Sequence, residues 1–167
     1  MLFAYANSTK QLQDMTKSFP TYTFDECYVP IKYHTLIDEE KDLLVQLSSE
    51  VLVVPEVDNS ILHAVLNVYM TRHNLKTPRD IARRLRVDAR ELSGTIHMLT
   101  GMSHEDFLHQ YRFRAIRELL CDTTLSVQTI ATHFGYSSIH ALNRFLSDQT
   151  GGLSANMIRK NSQISTN

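Results

Sequence analysis

The sequence predicts a mainly α fold, in which two copies of a helix, tight turn, helix unit are joined by a long linker helix and preceded by a small α+β segment. Three observations carry that expectation. Apolar residues recur at helical spacing almost without interruption from Ile61 onward. A pattern of Ile-Ala-x-x-Leu/Phe followed by Thr-Gly occurs twice, at Ile81 and Ile130 and again at Thr100 and Thr150. The stretch from Pro55 to Ser60 separates this texture from an acidic front with short β-like runs.

A chain of 167 residues with 43% hydrophobic content accommodates one full domain and a modest extension. No apolar run approaches the ~20 residues that cross a bilayer, and the N-terminus lacks a basic region followed by an apolar one. Two cysteines, Cys27 and Cys121, are too few and too widely spaced for a disulfide scaffold. These features read as a cytoplasmic protein with no membrane partner.

In the front segment, residues 1–58, Thr21-Tyr22-Thr23-Phe24 and Val51-Leu52-Val53-Val54 read as short strands. Between them Leu36, Ile37, Leu43, Leu44 and Leu47 recur at helical spacing, and Thr9 to Ser18 reads as another short helix. So short a segment buries little core by itself. It must pack on the C-terminal part, on a second copy or on a partner, so dimerisation or partner contact is its expected role.

Behind the boundary, Ile61, Leu62, Val65, Leu66, Tyr69 and Met70 share one helix face. Thr77-Pro78-Arg79-Asp80 is a helix start, with an N-cap Thr, Pro at the first helical position and an acid at the third. Asp88, with Glu91 three residues on, caps the next helix, and Ser103 caps a longer one running to about Leu120. Ser126 and the Ser137-Ser138 pair open the last two helices of the repeat. Residues 161–167 read as a disordered tail.

Each repeat copy meets the needs of a helix-turn-helix unit. Ala82 and Ala131 supply the small residue where the second helix crosses the first, and Leu92 and Leu142 anchor the second helix. The turn favours positive φ, which Gly135 tolerates and Arg86 does not. A connecting helix of about 16 residues is ~24 Å long. With the widths of the flanking helices added, it could hold two exposed helix faces in successive major grooves, ~34 Å apart along DNA.

The net charge of −1 argues against a polyanion partner until it is divided along the chain. Residues 1–60 hold four basic and ten acidic residues, a net −6. Residues 61–167 hold thirteen basic and eight acidic, a net +5, and contain every Arg and seven of the eight His.

Ile81-Ala82, Thr100-Gly101-Met102-Ser103, Tyr111-Arg112 and above all Ile130-Ala131-Thr132-His133-Phe134-Gly135-Tyr136-Ser137-Ser138, followed by Arg144, resemble the DNA-binding domain of AraC/XylS-type bacterial transcription regulators. The resemblance covers residues 61–160. It implies a sequence-specific regulator that places two recognition helices, about residues 89–99 and 139–147, in adjacent major grooves of double-stranded DNA and recruits or blocks RNA polymerase. Residues 1–58 are then the place for a homodimer or second-regulator contact.

Carried over by position, the resemblance implies base reading by Arg90, Ser93 and His97 on the first recognition helix, and by His140, Asn143 and Arg144 on the second. Gly94 and Ile139 stand beside them. Arg suits guanine O6/N7, and Asn suits adenine N6/N7. Ser137 and Ser138, with the adjacent amides, suit a phosphate, as do Arg112 and Arg114 on the connecting helix. Blander roles stay open for several: an ion pair for Arg144, an N-cap for Ser138, an exposed helix position for His140, and solvation for Arg112, Arg114 and Arg117. Gly94, Met98 and Ser147-Asp148 depart from the family's basic or polar residues. They support an alternative, a protein-interaction regulator whose DNA contacts have eroded.

Catalysis finds no foothold. His104 and His109 are five residues apart, about 140° around a helix, where a zincin pair must be four apart on one face. Cys121 follows Leu119-Leu120 and reads as core. No phosphate-binding, dinucleotide or serine-nucleophile motif occurs, so no enzyme activity, metal or cofactor is expected.

Overall fold

In the computed structural model, residues 22–28 and 60–164 are described. Eight helices occur among them: α1 (Phe24–Cys27), α2 (Ser60–Thr71), α3 (Pro78–Leu85), α4 (Ala89–Thr100), α5 (His104–Asp122), α6 (Val127–His133), α7 (Ile139–Thr150) and α8 (Ala155–Ile164). The described residues contain no strand. None of their helices is long and apolar enough to cross a membrane.

The helix starts follow the caps written in the sequence. Thr77 accepts from the Asp80 amide while Asp80 reaches back to the Thr77 amide, closing a reciprocal box. Asp88 accepts from the Arg90 and Glu91 amides at 2.8 and 3.0 Å. Ser103, Ser126 and Ser138 each accept from the amide three residues on.

Two cores form, and α5 belongs to both. Its first half contributes Phe107, Leu108 and Tyr111 to a core with Leu62, Val65 and Leu66 of α2, Ile81 and Ala82 of α3, and Leu92, Ile96 and Leu99 of α4. Its second half contributes Ala115, Ile116, Leu119 and Leu120 to a core with Ile130, Ala131, Phe134, Leu142, Leu146 and Ile158. The periodicity of one 19-residue helix, ~28 Å long, thus serves two helix-turn-helix units in succession. Ala82 and Ala131 are both almost fully buried, as close helix crossings require.

Two expectations need correction. The strand placed over Thr21–Phe24 is absent from its described part, because Thr23 and Glu26 form a capping box that opens α1 instead. That short helix packs on the first core: Cys27 and Tyr28 are buried, and the Phe24 and Tyr28 rings meet Phe107 and Tyr111 at 5.6 and 5.1 Å. Residues 22–28 therefore pack on the C-terminal part, one of the places expected for the front segment. The tail placed at 161–167 is helical to Ile164, with Ser162 donating back to the Arg159 carbonyl at 2.8 Å. The strand at Val51–Val54 and the helices at Thr9–Ser18 and Leu36–Leu47 lie outside the described residues.

The first repeat turn also differs from expectation. Arg86 takes the left-handed conformation, φ 58° and ψ 40°, where the second copy uses Gly135 at φ 73°. The geometry of the turn overrides the residue, at a cost of about 1–2 kcal/mol for a side chain in that region. Arg86→Gly should therefore stabilise the chain by about 0.5–1 kcal/mol after allowance for the freer unfolded backbone. A calorimetric melting temperature unchanged or lowered would contradict the strain.

Two buried imidazoles predict the acid limit. His104 bonds the Tyr69 hydroxyl at 2.8 Å, and burial holds its pKa down at about 4. His73 is held at about 3 by burial, with the His133 ring and the Arg112 guanidinium adding to it. Groups that protonate more readily unfolded than folded give stability that is complete above pH ~6.5 and lost as pH falls toward the folded values. Between pH 6.5 and 5 each should cost on the order of 2 kcal/mol. Urea unfolding across that range is the check, and His104→Gln should flatten the slope.

Candidate nucleic-acid interface

The second helix of each unit buries one face and exposes the other. On α4, Leu92, Ile96 and Leu99 point into the first core, while Arg90, Gly94, His97 and Met98 are exposed and Ser93 is half-buried. On α7, Leu142 and Leu146 point into the second core, while Ile139, His140, Arg144 and Asp148 are exposed. The spacing 90, 93, 94, 97 puts the α4 candidates on one stripe, and 140, 143, 144 does the same on α7.

Each stripe borders an open depression. Arg90 and Ser93 line one with Thr77, Arg79, Asp88 and Glu105, so the start of α3 brings a second guanidinium beside Arg90 that the sequence reading did not single out. His140, Asn143 and Arg144 line the other with Ser147, Asp148 and Ser154. Both depressions carry acids as well as cations. Asp88 is committed to its cap, whereas Asp148 stands exposed one turn from Arg144. Around Gly94 nothing lies within 4 Å of where a Cβ would stand, so its surroundings are open.

Ser137 and Ser138 are both exposed at the start of α7. The Ser138 hydroxyl caps the helix through the Ala141 amide at 3.1 Å, the role left open for it. Asn143 is half-buried, and its side-chain oxygen accepts from the Ala155 amide at 2.9 Å. Bidentate pairing to adenine needs that same oxygen as an acceptor, so the bond that starts α8 competes with base reading.

Two candidates for phosphate have partners within the chain. Arg112 is 4% exposed. Its Nη1 donates to the His73 and Leu75 carbonyls at 2.7 and 2.8 Å, and its Nη2 donates to the Phe134 carbonyl at 2.8 Å. The guanidinium also lies 5.3 Å from the Tyr136 ring centroid. These three bonds join the loop after α2 to the end of α6. Arg114 instead pairs with Asp25 and sits 4.5 Å over the Tyr28 ring, directed at α1.

The signal for Arg112 was present in the sequence. It falls four residues after Leu108 and four before Ile116, on the apolar stripe of α5, whereas a solvated arginine belongs on the opposite face. No group of three or more His, Cys, Asp or Glu able to hold a metal occurs among the described residues.

Residues 81–159 match a family model described as a helix-turn-helix domain. Among solved structures, the chain is similar to the C-terminal domain of AraT, a response regulator from Geobacillus stearothermophilus, at 26% identity and a TM-score of 0.52, over 60% of this chain and 84% of that one. It is also similar in fold to the DNA-binding domain of AdpA, a global transcriptional factor solved with a target DNA, at 22% identity and a TM-score of 0.54, over 63% and 94% of the two chains. A third is the C-terminal domain of the two-component response regulator YesN from Fusobacterium nucleatum subsp. nucleatum ATCC 25586, at 18% identity and a TM-score of 0.50, over 57% and 93%. No curated protein matches the chain.

Replacing Asn143 by Ala should lower stability by about 1 kcal/mol, the usual cost of a lost helix-start acceptor. The preferred bases in a selection from random duplexes should stay the same. A changed base preference with unaltered stability would return Asn143 to the reading set.

Proposed function

We propose, from the match of residues 81–159 to a helix-turn-helix domain and the resemblance to AraC/XylS-type regulators, that the chain is a transcription regulator that reads double-stranded DNA with α4 and α7 in adjacent major grooves. The observation that carries the reading is the equivalence of those helices. Each is the second helix of a capped unit, each is anchored by a buried Leu in a core built on one half of α5, and each shows an exposed stripe bearing Arg and His.

The proposed roles follow the chemistry of each exposed side chain. Arg90 and Arg144 donate bidentately to guanine, while His97, His140 and Ser93 supply single hydrogen bonds to base edges. Ile139 and Met98 offer apolar surface to thymine methyl groups. Ser137 and the amides at the start of α7 hold a phosphate, and Arg79 does so beside α4. Regulation then works by recruiting or blocking RNA polymerase, and a second copy or another regulator meets the chain through residues 1–58.

Asp148 favours a second reading. An exposed acid beside Arg144, together with Gly94 and Met98 on α4, suits a regulator that works through protein contacts after its DNA contacts have weakened.

Selection from a random duplex library at two salt concentrations separates the two readings. Direct reading yields an enriched two-box site whose affinity falls with salt. The protein-contact reading yields no enriched sequence at either salt. Arg144→Ala should weaken the selected site by about 1–3 kcal/mol and relax one base position. An unchanged sequence preference would remove Arg144 from the reading set.

A further inference from the structure

We propose that Arg112 is the positioning residue that sets the spacing between the two recognition helices, and so the distance between the two boxes of DNA that the chain accepts. The inference rests on the two-groove reading above and assigns its geometry to a side chain that touches no base.

Continuity of α5 fixes the distance between the units along its axis. It also sets their mean rotation, but each core grips only a short length of the helix, Phe107 to Tyr111 for the first and Ala115 to Leu120 for the second, so a small shift of either core on the helix changes the angle between the units. Rotation is held where the loop between α2 and α3 meets the turn after α6. Arg112 lies at that joint, with one nitrogen bonded to the His73 and Leu75 carbonyls of the first unit and the other to the Phe134 carbonyl of the second.

Neighbouring contacts converge on the same place. The His73 ring lies 5.0 Å from that of His133 and 5.2 Å from that of Phe134, and Lys76 sits 5.3 Å over the Tyr136 ring. A Cβ on Gly135 would approach the Asn74 carbonyl to 3.2 Å, so the two backbones are already close.

The chemistry makes this joint stiff. A guanidinium is a planar fork, and its three bonds here run to carbonyls carried by two different bodies. Turning one unit against the other lengthens bonds on one side and strands a buried cation, so the unturned arrangement is strongly preferred. Lysine, with one ammonium, cannot reach both sides in the same plane, and methionine reaches neither.

The test uses the full chain and the two-box duplex obtained by selection, with zero, one or two base pairs inserted between the boxes. One inserted base pair turns the second box by about a tenth of a helical turn, and wild type should lose about tenfold or more in affinity. Arg112→Lys and Arg112→Met should bind the original duplex more weakly and lose less than about threefold on insertion. A merely structural role would lower binding at every spacing by the same factor, leaving the profile parallel to that of wild type and overturning the inference.

Amide residual dipolar couplings give a second readout without DNA. Both units should fit one alignment tensor in wild type, and two of different magnitude in Arg112→Lys, the variant that keeps charge and bulk. One shared tensor in that variant overturns the inference. If wild type selects only a single box, the two-groove reading fails and takes this inference with it; a two-box site with an unchanged insertion profile in the variants sinks the inference alone.

Discussion

The three bonds from the buried Arg112 guanidinium to the His73, Leu75 and Phe134 carbonyls are the constraint on which the rest of the molecule depends. A helix-turn-helix unit presents a face, but one such face covers only a few base pairs. Two faces are useful together only if their relation is rigid. That relation comes from one helix shared between two cores and from one cation that satisfies backbone carbonyls on both sides. The same arrangement bears on the neutral imidazole of His73, which burial first, and then the neighbouring His133 ring and Arg112 guanidinium, hold far below the ordinary histidine range.

Legibility of the fold in the sequence was greatest where the chemistry is local. N-caps at Thr77, Asp88, Ser103, Ser126 and Ser138 need only a side-chain oxygen and an amide two or three residues on, and all five open the helices they were expected to open. The internal repeat was legible for the same reason, since each copy must solve the same crossing and turn. Failure began where a local rule met tertiary context. Arg86 is a poor residue for positive φ, yet the packing of α3 against α4 requires that turn and imposes it. Thr21–Phe24 has strand composition, but Thr23 and Glu26 lie three apart, and that spacing decides for a helix once Cys27 and Tyr28 find a core.

The candidate site was legible in outline and less so residue by residue. Helical periodicity alone places Arg90, His97, His140 and Arg144 away from the core, and the structure leaves them exposed. It says nothing of neighbours contributed by other helices. Asn143 looks like a base reader on α7 until α8 folds back and presents the Ala155 amide to it. Arg79 enters the same depression as Arg90 only because α3 and α4 begin side by side. Arg114 is drawn the other way, toward an acid and an aromatic ring ninety residues earlier in the chain.

These internal engagements change what the charge of the C-terminal part means. Its formal +5 counts every cation equally. Arg112 spends its donors on three carbonyls, Arg159 on the carbonyls of Leu120 and Leu125, Arg114 on Asp25, and Arg83 on Asp80. Counterion release scales with the cations that reach phosphate, so the formal charge overstates the sequence-independent part of any DNA affinity. The arginines that lie on the exposed stripes, Arg90 and Arg144, are those that the proposed reading assigns to base edges. On the proposed reading, such a chain discriminates through a few contacts held at fixed separation. Weak general attraction then becomes an advantage, because it lowers the affinity for every wrong sequence while the rigid joint preserves the right one.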